Sequence, residues 1–201
     1  MQKAGETGFF RVIESARPDG VLVRNIGGIA YYHDTGLRLA GDFSLNVANA
    51  LTAEILMGAG LEWVTVSYDL NAAQVEALLE AAPPGWFELT LHQHMPMFHM
   101  EHCVYAAFLS QGSSHLDCGR PCDRHDVRLR DRVGMEHPLR ADAGCRNTVY
   151  HGAAQSGASF LDQFRRAGLR RVRVELLTED ESAARELVAT YQRFLSGGIE
   201  A

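Results

Sequence analysis

The chain has 201 residues, 46% hydrophobic and 22% charged, an ordinary globular composition long enough to bury one sizeable core. Its net charge of −6 excludes a global basic field that would draw it to nucleic acid or an anionic membrane. No apolar run reaches the roughly 18 residues of a membrane span, and MQKAGETGFFRV lacks a signal-peptide core, so a cytoplasmic, thiol-reducing setting is expected.

Residues 7–17 place Phe9, Phe10, Ile13 and Ala16 at helical spacing, and Pro18-Asp19-Gly20 ends that helix. A short strand over Val21–Ile26 follows, broken by Gly27-Gly28, and a second covers Arg38–Phe43. Ser44 is the expected N-cap of a helix over Leu45–Gly58. Trp63–Ser67 reads as a third strand, Asn71 as the cap of a helix over Ala72–Ala82, and Trp86–Leu91 as a fourth strand. After a cysteine-rich stretch come a weak strand at Leu139–Asp142, a helix over Phe160–Ala167, a strand over Arg171–Leu177 and a helix over Glu179–Ser196, ended by Gly197-Gly198. Strand and helix thus alternate with a repeat of roughly 20 to 25 residues, the pattern of βα units and a parallel sheet.

In such sheets the chemistry sits at the carboxyl ends of the strands. Asn25, Asp42, Asn46, Ser67 and Asp69 fall at those ends, where each is a candidate to face the mouth or simply to cap a helix or turn. The fourth strand runs straight into His92-Gln93-His94-Met95-Pro96. All four cysteines, Cys103, Cys118, Cys122 and Cys145, lie between Glu88 and Gly152, with every histidine except His33.

Their spacing is C-x14-C-x3-C-x22-C, and Cys118 and Cys122 flank a Gly-Arg-Pro turn that lets both sulfurs point at one metal. Four thiolates suit a 4Fe–4S cluster or a tetrahedral zinc, and spacing leaves both open beside plain buried cysteines. His125 stands where the three-cysteine radical-SAM pattern needs a thiolate, HExxH and GxSxG are absent, and Gly112-Ser113-Ser114 reads as a loop. His92, His94, His99 and Glu101 are the candidate catalytic groups beside the thiolates. Residues 117–146 also carry seven arginines and six acids, a balance that favours an ion-paired surface, with Arg146 a candidate to clamp an anionic substrate group.

The string HMPMFHMEHCVYAAFLS…DCGRPCDRHDVRLRDRVGMEHPLRADAGCRNTVYHGAAQS, with DFSLNVANALTA and VTVSYDLN upstream, resembles the collagenase-like peptidase family of unknown catalytic type, from about Gly20 to Leu177. The resemblance implies a TIM-barrel-like fold, with Cys103, Cys118, Cys122 and Cys145 as ligands of a 4Fe–4S cluster (zinc being the alternative). Members of that family serve oxygen-independent hydroxylation of RNA or of the ubiquinone ring, so the resemblance implies an iron–sulfur hydroxylase acting on an RNA base or a small aromatic metabolite. Two readings stand against it: a peptidase, as the family label says, and a non-catalytic zinc- or cluster-stabilised scaffold module.

The expected architecture is therefore α/β: residues 1–201 form a single partial TIM-barrel-like (β/α) repeat, with a Cys/His-rich insert over 92–145 after the fourth strand. A TIM barrel needs eight strands and typically about 250 residues. The six strand candidates near residues 21, 38, 63, 86, 139 and 171 fall short of that. An incomplete barrel is expected, its open side, next to the strand near Val21, covered by another chain or an N-terminal half.

Overall fold

The computed structural model describes residues 7–112 and 114–196; Ser113 and the Gly197-Gly198 helix stop lie outside them. In chain order the elements are α1 (Thr7–Ser15), β1 (Gly20–Val23), α2 (Ile26–Tyr32), β2 (Arg38–Gly41), α3 (Ala50–Gly58), β3 (Trp63–Thr65), α4 (Ala72–Ala81) and β4 (Phe87–Gln93). There follow β5 (Pro96–Met100), α5 (Val104–Leu109), β6 (Val127–Arg130), β7 (Glu136–Ala141), β8 (Asn147–Tyr150), β9 (Gln155–Ser156), α6 (Leu161–Arg166), β10 (Arg171–Val174) and α7 (Glu181–Leu195). The fold class is mixed α/β, and the chain divides into two compact units.

The first unit runs to Leu91 and includes Gly157–Val174. Its sheet has the order β1-β2-β3-β4-β10, with β1 through β4 parallel and in sequence order. β1 and β10 are the two ends of that path, and no closed barrel forms among the described residues. Alternate strand residues Val23, Leu39, Val64 and Phe87 are buried with Val75, Leu78 and Leu79 of α4 and with Phe164 of α6 in one aliphatic core. α1 buries no residue; Phe9 and Ile13 are exposed, while Phe10 packs on Tyr31 and Tyr32.

Local chemistry explains where this unit departs from the expected elements. Gly27-Gly28 does not break the chain: Asn25 accepts a hydrogen bond from the Gly28 N–H at 2.8 Å and caps α2. The helix expected from Leu45 starts only at Ala50, because Asn46 adopts a left-handed conformation (φ 55°) that closes a short 3₁₀ turn over Phe43–Leu45. Fully buried Val47 then bridges Val66 in parallel, and Asn49 caps α3 through the Thr52 N–H. Ser44, the expected cap, donates instead to the Arg24 carbonyl. Asn71 does cap α4, in a reciprocal capping box with Gln74.

The second unit comprises His92–Ser156 and Glu175–Arg193. It contains a four-stranded antiparallel sheet of order β5-β8-β7-β6. The strand expected at Leu139–Asp142 as a member of the parallel series is β7 of this sheet. Tyr105, Leu139 and Val149 form a small buried cluster, with Met97, Cys103 and Cys122 packed against it. β9 pairs antiparallel with the end of β4, His92 opposite Ser156.

Candidate functional site

Each cysteine is set by its own local device. Cys103 is the N-cap position of α5. The next residue, Val104, donates its N–H to Asn147 Oδ1 at 2.7 Å, and Asn147 Nδ2 lies 3.9 Å from Cys103 Sγ as donor. Asn147 is fully buried on β8, so this one carboxamide ties the helix start, the sheet and the sulfur together.

Cys118 ends a turn whose N–H bonds the Ser114 carbonyl, with Asp117 Oδ1 accepting from the Ser114 N–H at 2.7 Å. Gly112 lies so close to the Asp117 carbonyl that a Cβ there would clash with it. Gly119 (φ 66°) and Arg120 (φ 51°) are both left-handed, which folds the chain back on itself. The Arg120 N–H then points at Cys118 Sγ, 3.4 Å away, and Pro121 opens a 3₁₀ turn that carries Cys122. Two consecutive left-handed residues thus aim backbone at sulfur, and only the first is glycine.

Cys145 is left-handed too (φ 60°), in the tight connection between β7 and β8. Asp142 holds that connection by accepting the Gly144 and Arg146 N–H groups on Oδ1, at 2.8 and 2.9 Å.

All four cysteines line one cavity of about 670 Å³, and all four are free thiols. His115, His125, Arg120 and Arg140 share its wall. Burial pushes the Cys122 thiol up, followed by the negative charge of Asp123 and of Cys103. Burial likewise raises the Cys145 thiol, with further contributions from Cys103, Cys118 and Cys122. The sulfurs therefore feel one another as like charges, a repulsion that a bound cation would reverse. Among the described residues no three His, Cys, Asp or Glu side chains converge closely enough to hold a single metal ion.

The other expected site residues lie elsewhere in the second unit. His92 is buried, its Nδ1 3.0 Å from Tyr191 Oη, which is in turn 2.7 Å from Ser156 Oγ. Burial lowers its pKa, Glu179 opposes that and His94 adds to it. His94 bonds the His151 carbonyl at 2.8 Å and faces Glu179 at 3.7 Å. His99 is exposed on β5 and bonds Thr148 Oγ1. Glu101 accepts from Nε of the buried Arg146 at 3.1 Å. None of these five residues lines the four-cysteine cavity.

In the first unit Asn25 is a helix cap and Asn46 Oδ1 accepts from Ser67 Oγ at 2.8 Å. Asp42, fully buried just after β2, belongs to a charged network that sequence reasoning missed. Arg173 of β10 donates to Asp42 Oδ1 at 2.7 Å and lies 3.3 Å from Glu88 Oε1, while Arg24 Nε lies 2.6 Å from Asp42 Oδ2. The available signal was arginine between Val172 and Val174 in a strand of a parallel sheet, where both faces are ordinarily apolar. Asn147, His115 and His125 were also missed as neighbours of the sulfurs, because nothing local in sequence ties them to a cysteine.

The model of peptidase family U32 matches residues 6–201. No curated protein and no solved structure matches the chain.

Proposed function

The chain belongs to peptidase family U32, the collagenase-like family, and from that premise we propose that Cys103, Cys118, Cys122 and Cys145 hold a 4Fe–4S cluster. In this reading the cluster serves the oxygen-independent hydroxylation of an RNA base or a ring-bearing metabolite. The carrying observation is that every cysteine of the chain, across 43 positions of sequence, lines one cavity as a free thiol.

The residues present fit such a group. A cubane spreads its thiolates wider than the coordination sphere of one ion, which agrees with four sulfurs around a common cavity and no three-residue set at single-ion spacing among the described residues. The Arg120 N–H and Asn147 Nδ2 are donors aimed at sulfur, and such bonds tune the potential of thiolate-held iron. When bound, the cluster supplies one-electron chemistry or activation of an oxygen donor. The chain's own residues do the rest. Asp126 holds Arg140 at 2.6 Å against the cavity wall, and His115 and His125 line the same cavity as the sulfurs. We read the first unit, with its parallel strands in sequence order, as an arc of a TIM-barrel-like (β/α) repeat.

Anaerobic purification followed by iron and acid-labile sulfide analysis, with a visible spectrum, tests the cluster. About four of each per chain with a broad charge-transfer absorption is expected. A colourless protein carrying one zinc would replace the cluster by a structural metal, and a metal-free protein that cleaves peptides would support the peptidase reading.

A further inference from the structure

The face of the parallel sheet opposite the aliphatic core of the first unit carries a second, independent feature. Val64, Phe87, Leu89 and Val172 point into the core under the helices. Their strand neighbours Thr65, Glu88, Thr90 and Arg173 alternate onto the opposite face, where Asp42 joins them. Arg173 reaches Asp42, Glu88 and Thr90 at 2.7, 3.3 and 3.4 Å, and Thr65 Oγ1 donates to Glu88 Oε1 at 3.2 Å. Buried ionic groups of this kind are seldom more stabilising than apolar residues of similar volume, so folding alone gives little reason for them.

Asp42 is fully buried, and the Glu88 and Arg173 side chains are 14% and 17% exposed, so two carboxylates meet one guanidinium. The compensating charge comes from Arg24, which follows β1 and whose side chain is 66% exposed. Its contact with Asp42 is short but poorly aligned: Nε lies 2.6 Å from Oδ2, yet buried Oδ2 accepts no hydrogen bond of ordinary geometry. Arg173 gives Oδ1 a well-formed bond, so Oδ2 is the acceptor left poorly served. Beside it Phe43 stacks on Tyr68 (centroids 4.3 Å apart, 13° between planes), and the Arg24 guanidinium sits 5.8 Å from the Phe43 ring. Aromatic faces attract cations, and carboxyl ends of parallel strands are where α/β sheets bind ligands.

We infer that this end of the sheet binds a ligand through a guanidinium or primary ammonium group, with Asp42 Oδ2 as its acceptor and Arg24 as the resident group that it displaces. The site lies in the first unit and does not depend on what the cysteines hold.

The test is calorimetric titration of the whole chain with agmatine, at ionic strength held constant with sodium chloride. The wild type binds, and Arg24→Ala binds about tenfold tighter, because removing the resident group raises the binding-competent fraction. Asp42→Asn abolishes binding. The inference fails if agmatine binds neither wild type nor Arg24→Ala, if Arg24→Ala binds no tighter, or if Asp42→Asn keeps its affinity. Agmatine that binds Arg24→Ala alone overturns it too, since Arg24 would then be a permanent plug. Should Asp42→Asn not fold, the Arg24→Ala comparison still decides, because Arg24 is exposed. Iron content measured on the same samples separates this outcome from that of the cluster reading.

Discussion

The two units are held together in different ways. In the parallel-sheet unit Val23, Leu39, Val64, Phe87, Phe164 and Leu169 lie in one buried cluster fed by strands and helices alike. In the cysteine-bearing unit Tyr105, Leu139 and Val149 form a small buried cluster, and two of the four cysteines are among the partly buried groups packed on it. The loops that carry Cys118, Cys122 and Cys145 rest on left-handed residues and on turns tied by Asp117 and Asp142. Burial stabilises the first region; in the proposed reading a metal-borne cross-link supplements the small buried cluster of the second. A metal centre contributes such a cross-link as folding free energy, on the order of 10 kcal/mol for structural sites in small domains.

The sharpest way to break that contrast is to remove one of the proposed cluster ligands. Cys118→Ala or Cys145→Ala is expected to abolish iron retention and to strip hydrogen-exchange protection from residues 92–156. Protection in β1 to β3 should remain. Uniform loss of protection across both units would show that the first does not stand on its own core. Unchanged protection in the second would show that its sulfurs carry no structural load. Phe87→Ala inverts the experiment. Phe87 is fully buried in the first core, and truncation should cost about 3–5 kcal/mol, with iron content per folded chain unchanged.

Asn147→Leu sharpens the comparison at smaller amplitude. It leaves the Val104 N–H without its acceptor and deprives Cys103 of a donor, so a loss of about 1–3 kcal/mol confined to the second unit is expected. The reduction potential of the loaded protein should fall as well, since a hydrogen bond to sulfur stabilises the reduced, more negative state. A stability loss with no change in potential would make Asn147 a helix cap and nothing more.

The two regions also differed in how far they could be read in advance. Strands ending in Val23, Gly41, Thr65 and Gln93 were visible because buried parallel strands are short apolar runs between turn residues. Asn71 was visible as a cap because its partner Gln74 is three residues away. The antiparallel sheet was not: β6 reads VRLR and β8 NTVY, short and half polar, and their pairing partners are set by turns at Asp131 and Asp142. Cysteine chemistry marked the four thiols from sequence alone. The Arg173–Asp42 pair, 131 positions apart, and the Tyr191–His92 pair, 99 apart, are made by the tertiary fold, and no local pattern names the partner.

The smallest predicted effect is a pH step that belongs to the second unit alone. His92 lies opposite Ser156 where β9 meets the end of β4, and its ring is covered by Tyr191 at 5.4 Å. Burial disfavours the imidazolium, His94 disfavours it further and Glu179 favours it; the net pKa is lowered. The unfolded chain, with an ordinary histidine pKa of about 6.5, therefore binds more protons than the folded one between that value and the depressed one. Its contribution to stability is complete above about pH 6.5, declines as pH falls below it, and stops declining once the folded imidazole is itself protonated. Denaturant unfolding followed by exchange protection in residues 92–156, between pH 5 and 7.5, should show this decline. The variant His92→Gln should flatten it while leaving the His94–Glu179 contact in place. A decline of equal size in the variant would assign the step to the His94–Glu179 contact at 3.7 Å rather than to the buried ring.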